Sequence, residues 1–247
     1  VLPGGDIAAR EIWRLAAALR LEKGETEAAI AERLPGVPAD ALRAVLAMVR
    51  RGLRCLPTSS LGRMFDAAAA LLGVALENTF EGEAPMKLEA LARQSLSVPA
   101  WPKTQRKNAK NAKNAKRLRP PPSSPGSAAI LDLRALLFAL ADEADPALGA
   151  ARFHRELARL LADWAADNVP VGASTILLSG GCLQNALLAD GLSEALTRRG
   201  LRPVLPKRVP PGDGGIAYGQ AVLAARRTVS CAAAISLPES SRHKPSR

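Results

Sequence analysis

Two glycine-containing stretches of this sequence have the residue types and spacing of an anion site. Ser179, Gly180 and Gly181 follow a short apolar run at 175–179, and a helical pattern that contains Asn185 begins directly after them. Glycines at such a turn leave room for an anion, and the amide N–H groups at a helix start carry a partial positive charge. The stretch therefore predicts a phosphate site, and a tight turn without a ligand is the open alternative.

The second stretch, PPGDGGIAYGQ at 210–220, places Asp213 between glycines at another helix start. Parallel strands direct the loops that follow them to one edge of a sheet, so this loop is expected beside the Ser179 loop. Asp213 could hold a divalent metal ion next to a bound phosphate, or it could cap the helix. The spacing leaves both interpretations open.

Two more acidic positions stand next to glycines. Gly62 and Asp66 lie four residues apart, on one face of a predicted helix start, and aspartate is a common partner of ribose hydroxyls. The alternative is a half-exposed carboxylate paired with Arg63. Glu81 and Gly82 directly precede a further helical pattern, where helix capping is the alternative.

The histidine and cysteine near these stretches favour structural roles. His154 shares a helix face with Leu157 and has no second histidine nearby, which favours a packed or hydrogen-bonded side chain over a metal ligand. Cys182 would stand at a helix start, where the pKa of a thiol can be lowered, but no basic partner is close in sequence. It is interpreted as a small loop residue, and the sequence assigns no catalytic residue.

The elements that must position these residues follow from apolar periodicity. A short apolar run, a glycine turn, a helix, a second apolar run and a helix predict a βαβ unit, so the expected class is α/β with a helix-rich N-terminal half. Ser60 is a predicted helix cap and Gly73 a predicted stop. The predicted helices cover 6–51 in several segments, 60–73, 83–94, 131–141, 151–166, 183–199 and 214–225, and the predicted strands cover 175–179 and 202–206.

Composition limits the function classes. The chain has 247 residues, 48% of them hydrophobic, and no apolar stretch long enough to cross a membrane. Three widely spaced cysteines suggest neither a disulfide framework nor a zinc site and favour a reducing cytoplasm. The net charge of +11 comes mainly from eight basic residues at 103–119, a segment without acidic residues. With only Trp101 at its edge as an aromatic, this segment favours a solvated loop over nucleic-acid binding.

The chain is expected to fall into four parts. Residues 1–96 are helical, and residues 97–127, with a Lys-Asn-Ala repeat and a triple proline, have the composition of a disordered insertion. Residues 128–227 form the α/β, nucleotide-binding part. Residues 228–247 are polar and are expected to be a flexible tail.

Six motifs occur in this order: LPGGDIAAR, TSSLGRMFDAAAALLG, TFEGEAPMKLEALA, ARFHREL, LLSGGCLQNALL and VLPKRVPPGDGGIAYGQA. Together they resemble the C-terminal part of the hydrogenase-maturation carbamoyltransferase family (HypF-type), which is related to the synthase subunit that makes threonylcarbamoyladenosine in tRNA. The resemblance covers nearly everything outside the basic insertion and the tail.

The resemblance implies the C-terminal lobe of an actin-like ATPase-type (ASKHA) domain. In that family, carbamoyl phosphate and ATP give a carbamoyl-adenylate, and the carbamoyl group passes to the C-terminal cysteine of an acceptor protein in hydrogenase maturation. It implies ATP and a divalent metal, Mg or Fe, and no zinc in this part. The implied nucleotide-binding residues are Gly62, Asp66, Glu81, Gly82, Ser179, Gly180, Gly181 and Asn185, and the implied metal ligand is Asp213.

Several family features are absent from this sequence. It contains neither the acylphosphatase-like and zinc-binding regions nor the paired histidines that complete the family's metal site, and its own histidines are His154 and His243. The sequence is therefore expected to be a fragment whose N-terminal partner regions lie on the same or another chain. The alternatives are a related carbamoyltransferase acting on small hydroxylated products, a non-catalytic module whose basic loop binds nucleic acid or an acidic partner, and a degenerate remnant.

Overall fold

The computed structural model describes residues 1–95 and 130–235, with side chains described through residue 226. The predicted basic insertion and most of the predicted tail therefore lie outside the described residues. The helices are α1 (Ile7–Arg10), α2 (Trp13–Lys23), α3 (Glu27–Arg33), α4 (Ala39–Arg51), α5 (Leu61–Leu71), α6 (Glu83–Ala92), α7 (Arg134–Ala141), α8 (Pro146–Asn168), α9 (Ala186–Thr197) and α10 (Ile216–Ile235). The strands are β1 (Leu2–Pro3), β2 (Cys55–Leu56), β3 (Thr175–Leu177) and β4 (Arg202–Val204).

The central helix of the described core is α5, which packs against α2, α6, α7 and α8. Every residue from Phe65 to Leu71 is buried, so this helix has no polar face along that stretch. Four consecutive alanines, 67–70, allow its neighbours to approach closely from several sides. The helix starts at the predicted cap, where the Ser60 hydroxyl accepts a hydrogen bond from the amide of Arg63 at 3.5 Å.

The longest described helix, α8, starts five residues before the predicted position. Asp145 caps it, because its Oδ1 accepts hydrogen bonds from the amides of Ala147 at 2.9 Å and Leu148 at 3.2 Å. Pro146 occupies the first helical position, where a missing N–H costs nothing. This Asp-Pro signal extends the helix back from residue 151, and its buried face meets α6 and α9.

The predicted βαβ unit is present. β3 and β4 are parallel, with Thr175 opposite Arg202 and Leu177 opposite Val204, and α9 connects them. Both strands are shorter than predicted, because strand pairing ends after three residues, where each loop begins. A second, antiparallel pair of β1 and β2 was not predicted, because two-residue strands show no periodicity.

The C-terminal helix differs from the predicted tail. α10 runs through Ile235 rather than ending near residue 225, and the alanines at 232–234 favour this extension because alanine has the highest helix propensity. Within the described parts of the chain, no helix is both long enough and apolar enough to cross a bilayer.

Candidate functional site

The two glycine loops are neighbours, as predicted from the parallel strands. The loop after β3 and the loop after β4 are joined by a hydrogen bond of 2.7 Å from the Gly180 amide to the Pro211 carbonyl. Gly180 has φ +115°, a conformation that side chains of L-residues rarely adopt. At Gly212, an added Cβ would lie 2.9 Å from Gln184 Nε2 and 3.3 Å from Gly181 Cα. Glycine at these two positions therefore permits the close approach of the loops.

An open cleft of about 390 Å³ lies between these loops. Its walls include Ser179 and Gly180 from the first loop, and Gly212, Asp213 and Ile216 from the second. The cleft therefore places the Asp213 carboxylate, a group that can bind a cation, between the two glycine loops.

The free amides in the first loop belong to its 3-10 turn, Gly181–Gln184. Among the described residues, the amides of Gly181 and Cys182 have no hydrogen-bond acceptor, whereas that of Leu183 donates to the Gly180 carbonyl at 3.1 Å. An added Cβ at Gly181 would meet no atom within 4 Å. This part of the turn is thus open to a ligand.

The start of α9 differs from the expectation of an anion-facing helix terminus. The amide of Ala186 donates to Glu89 Oε1 at 3.2 Å, and the amide of Leu188 donates to Asn185 Oδ1 at 3.0 Å. Two first-turn amides are therefore already satisfied by side chains, one of them from α6. The amides available to a phosphate are those of the preceding 3-10 turn.

Asn185 lies behind this turn. Its side chain is buried, its Oδ1 caps α9, and its Nδ2 lies 2.9 Å from Nε2 of His154. Both ends of its amide are therefore engaged within the protein.

Asp66 is buried, with 1% of its surface exposed. Its Oδ1 accepts a hydrogen bond of 3.0 Å from Asn78 Nδ2, and its Oδ2 lies 2.9 Å from Arg63 Nη1 as an ion pair. The Oδ2 atom has no hydrogen bond of acceptable geometry to a described group. The pairing with Arg63 that was left open as the alternative is present, but the carboxylate is buried rather than half-exposed, because α5 is enclosed from Phe65 to Leu71.

Burial raises the pKa of Asp66, and the Asn78 hydrogen bond and the Arg63 charge lower it by less. Asn78 also holds the surrounding chain, since its Nδ2 donates to the Ala9 carbonyl and its Oδ1 accepts from the Ala84 amide. No local spacing signals the role of Asn78, because its partners lie in three separate segments of the chain.

The 3-10 turn packs against α5, so Asp66 and the glycine turn belong to one neighbourhood. The pKa of the Cys182 thiol is raised, mainly by burial. The negative charge of the nearby Asp66 raises this pKa further, and the positive charge of Arg63 lowers it. The raised pKa fits the interpretation of Cys182 as a small loop residue rather than a nucleophile. Gly62, on the first turn of α5, is half-buried.

The Glu81 and Gly82 stretch stands apart from these contacts. Gly82 is the N-cap of α6 with φ +84°, but Glu81 is exposed and forms no hydrogen bond or ion pair with another described residue. No described side chain caps α6, and the nearby Glu83 Oε2 accepts hydrogen bonds from the Thr79 amide at 2.6 Å and from the Thr79 hydroxyl at 2.7 Å. Hydrogen bonds from Lys87 and Thr79 lower the pKa of Glu83 to about 2.

Asp213 is exposed and begins a short 3-10 turn, Asp213–Gly215, without capping it through its side chain. Within residues 1–95 and 130–226, no group of three or more histidine, cysteine, aspartate or glutamate side chains is placed to hold a metal ion. Asp213 alone supplies a single ligand, which does not make a metal site by itself.

His154 is packed and hydrogen-bonded, as predicted. It is buried, its Nδ1 lies 2.8 Å from the Ala150 carbonyl, and its ring meets Phe65 edge-on with a centroid separation of 5.5 Å. Its contact with Asn185 was not predicted, because the two residues lie 31 positions apart and only tertiary packing joins them.

Comparisons with known proteins place these features in a family. Residues 1–220 match the family described as carbamoyltransferase, Kae1-like domain, second subdomain. A carbamoyltransferase HypF homolog from Cupriavidus necator is 41% identical, over 94% of this chain and 57% of its own length. Carbamoyltransferase HypF from Rhizobium leguminosarum bv. viciae is 38% identical, over 89% of this chain and 26% of its own length.

Two solved structures have similar folds. The crystal structure of full-length HypF in its phosphate- and nucleotide-bound form gives a TM-score of 0.64 at 28% identity, covering 91% of this chain and 28% of that protein. The crystal structure of T. kodakarensis HypF gives 0.64 at 25% identity, covering 90% and 28%. The chain thus spans only part of the length of these relatives. It belongs to the HypF carbamoyltransferase family, and its residues 1–220 correspond to the second subdomain of the family's Kae1-like domain.

Proposed function

We propose that this chain supplies the nucleotide-binding C-terminal lobe, of the actin-like ATPase type, of a HypF-type carbamoyltransferase. The observation that carries this proposal is the contact between the two glycine loops, in which the Gly180 amide donates to the Pro211 carbonyl at 2.7 Å. The buried Asp66 lies beside this contact. Family membership supports it, and one HypF structure of similar fold is described as nucleotide-bound. In this proposal the helical residues 1–95 form one wall of the site and residues 130–226 carry the loops.

The free amides of Gly181 and Cys182 are the groups that bind nucleotide phosphate oxygens, with Ser179 and Gly180 lining the cleft. Gly62 and Asp66 are proposed on the ribose side, where the buried Asp66 acts through its ion pair with Arg63 at 2.9 Å. Glu81 and Gly82, which directly precede α6, are also proposed on the ribose side. Asn185 is proposed to stabilise the Gly181–Gln184 turn without contacting the nucleotide.

The proposed reaction is the transfer of a carbamoyl group from carbamoyl-adenylate, made from carbamoyl phosphate and ATP, to the C-terminal cysteine of an acceptor protein in hydrogenase maturation. The cysteine thiolate forms the new C–S bond, and the C–O bond to AMP breaks, with the electron pair leaving on the phosphate. Amides that stabilise this phosphate make AMP a better leaving group. Asp213 could contribute one ligand to a divalent ion, which would neutralise phosphate charge when bound.

Calorimetry with ATP and Mg²⁺ tests the proposal. The chain is titrated alone and after addition of the N-terminal region of the longer Rhizobium leguminosarum relative. Binding in either experiment, weakened in Gly181→Ala, is expected, because the added Cβ meets no protein atom within 4 Å and would stand only against a ligand. The matched control is Gly219→Ala, in the exposed α10, where an added Cβ also meets nothing.

Asp66→Ala is the second variant, and its affinity for ATP is also expected to fall. Absence of binding in both titrations, or full affinity in both variants, would contradict the proposed function. The other candidate, nucleic-acid or acidic-partner binding through the basic loop, concerns residues outside the described ranges, and no described contact favours it.

A further inference from the structure

His154 is a buried titratable residue to which the proposed function assigns no contact with a ligand. It lies on α8 with 3% of its surface exposed. Its ring meets Phe65 of α5 and Phe153 of α8 edge-on, with centroid separations of 5.5 and 5.8 Å. The imidazole therefore stands between the helix that carries Asp66 and the turn that carries the free amides.

Both ring nitrogens have a partner, and the two partners fix a single tautomer. The Ala150 carbonyl, 2.8 Å from Nδ1, can only accept, so Nδ1 carries the proton. The ring nitrogen Nε2 then accepts from Nδ2 of Asn185 at 2.9 Å. This hydrogen bond turns Asn185 Oδ1 toward the amide of Leu188, which it caps at 3.0 Å.

We infer that neutral His154 is a positioning residue, which fixes the amide of Asn185 and thereby holds the Gly181–Gln184 turn in the shape that binds phosphate. The inference rests on the proposed function for the role of the turn. His154 contacts the turn only through Asn185, which directly follows it and whose backbone N–H donates to the Cys182 carbonyl at 3.3 Å. The geometry of the free amides therefore depends on the orientation of one side-chain amide.

Protonation of His154 would reverse this orientation. A charged imidazole donates from both nitrogens, so Asn185 would have to turn its Oδ1 toward the ring and its NH2 group toward the Leu188 amide. Two donors would then face each other, and the cap of α9 would be lost. The turn is thus compatible with the neutral ring only.

The surroundings of the ring favour the neutral form. Burial lowers the pKa of His154, and the positive Arg93 near the end of α6 lowers it slightly. The Ala150 carbonyl and the negative charge of Glu89 on α6 act in the opposite direction. From α5 the ring faces Phe65, and from the start of α9 it faces Asn185, neither of which is charged.

The first test does not depend on nucleotide. Long-range ¹H–¹⁵N correlation spectra of the full chain report the tautomer of each imidazole, and the variant His243→Gln assigns the remaining signal to His154. The expected spectrum is a neutral ring protonated at Nδ1 at pH 7. A ring protonated at Nε2, or a charged ring at that pH, would overturn the inference.

The second test compares two variants. His154→Phe keeps a ring beside Phe65 and Phe153 but removes both nitrogens, whereas His154→Gln offers an amide oxygen near the position of Nε2. Hydrogen exchange of the Leu188 amide is expected to lose protection in the Phe variant and to keep most of it in the Gln variant. Equal protection in both would overturn the inference, and this readout decides even if the chain binds no nucleotide.

Nucleotide affinity then separates positioning from packing. Leaving the Asn185 NH2 group buried without an acceptor is expected to weaken ATP binding roughly 5- to 100-fold in His154→Phe, while His154→Gln stays within about threefold of the parent chain. Unchanged affinity in the Phe variant would contradict the inference. If His154→Phe does not fold, acidification decides: Leu188 protection should fall as the pH is lowered below about 6.5 in the parent chain, and not in His154→Gln.

Discussion

The mainly helical region up to residue 168 and the segment after it, which contains the parallel strands β3 and β4, differ in how much apolar surface they bury. Most of the large, fully buried side chains of the described residues lie in or next to the helices of the first region, and Leu188 and Leu196 of α9 belong to the second region. In the second region Leu177 is 76% exposed, and Ile216 and Tyr218 are each more than half exposed. Parallel strands are usually covered on both faces, and here α9 packs beside β4.

This difference matters because the glycine loops belong to the weakly covered region. Their support comes from α9, which packs against α8, and from polar contacts such as those of Glu89 and His154. Segments with few buried apolar contacts open at lower free energy than the core does. The helical region therefore acts as the rigid base, and the loops on the strand edge are the part whose shape a ligand or a neighbouring side chain can shift.

The largest expected effect contrasts the cores of the two regions. Phe153→Ala should lower the free energy of unfolding by about 3–5 kcal/mol, because the side chain is fully buried and leaves a cavity. Tyr218→Ala, on the exposed face of α10, should change it by less than about 0.5 kcal/mol. Urea denaturation measures both, and comparable losses would show that the second region also has a tightly packed core.

A smaller effect is expected at the loop backbone. Gly180→Ala should cost about 1–3 kcal/mol, because alanine at φ +115° is strained. Gly181→Ala should be nearly neutral for stability, since its φ lies outside the left-handed region and its Cβ would meet no atom. Thermal denaturation of the pair checks this, and a Gly181→Ala variant as unstable as Gly180→Ala would refute the geometry described for the turn.

The pH dependence of stability should differ in sign between the two buried titratable groups. Asp66 has a raised pKa, so the folded chain binds its proton more tightly, and this contribution to stability declines as the pH rises from about 3.8 through the raised value. His154 has a lowered pKa, so its contribution is complete above about 6.5 and declines as the pH falls below that value.

Asp66→Asn should remove the first dependence and leave the second, and His154→Gln should do the reverse. Urea denaturation from pH 3.5 to 8 measures both slopes, with Asp213→Asn as an exposed carboxylate control. An unchanged slope in Asp66→Asn below pH 6 would count against the buried position of that carboxylate.

The smallest expected effect concerns the polar link between the regions. Arg199, at the end of α9, pairs with Asp163 of α8, which also pairs with Arg159. These side chains are partly exposed, so Asp163→Ala should cost at most about 1 kcal/mol. Amide exchange in α9 should nevertheless quicken more than in α5, and a uniform response across the chain would show that the two regions open together.

Local signals predicted much of the fold and the two loops. The Ser60 cap and the βαβ unit were correct, because capping hydroxyls and apolar runs act within a few residues. The neighbouring position of the two glycine loops was also correct, since parallel strands direct their following loops to one edge. The early start of α8 was missed although Asp145 and Pro146 carried a local signal for it.

The sequence by itself determined which loops contain glycine and where the main helices lie, and it offered Arg63 as one possible partner of Asp66. Tertiary structure alone decided that Asp66 is enclosed, that Glu89 closes the start of α9, and that His154 orients Asn185. The physical reason is distance along the chain: Glu89 and Ala186 are 97 positions apart, and His154 and Asn185 are 31 apart. Such contacts exist only after helices have packed, so burial and tautomer follow from the assembled core rather than from local spacing.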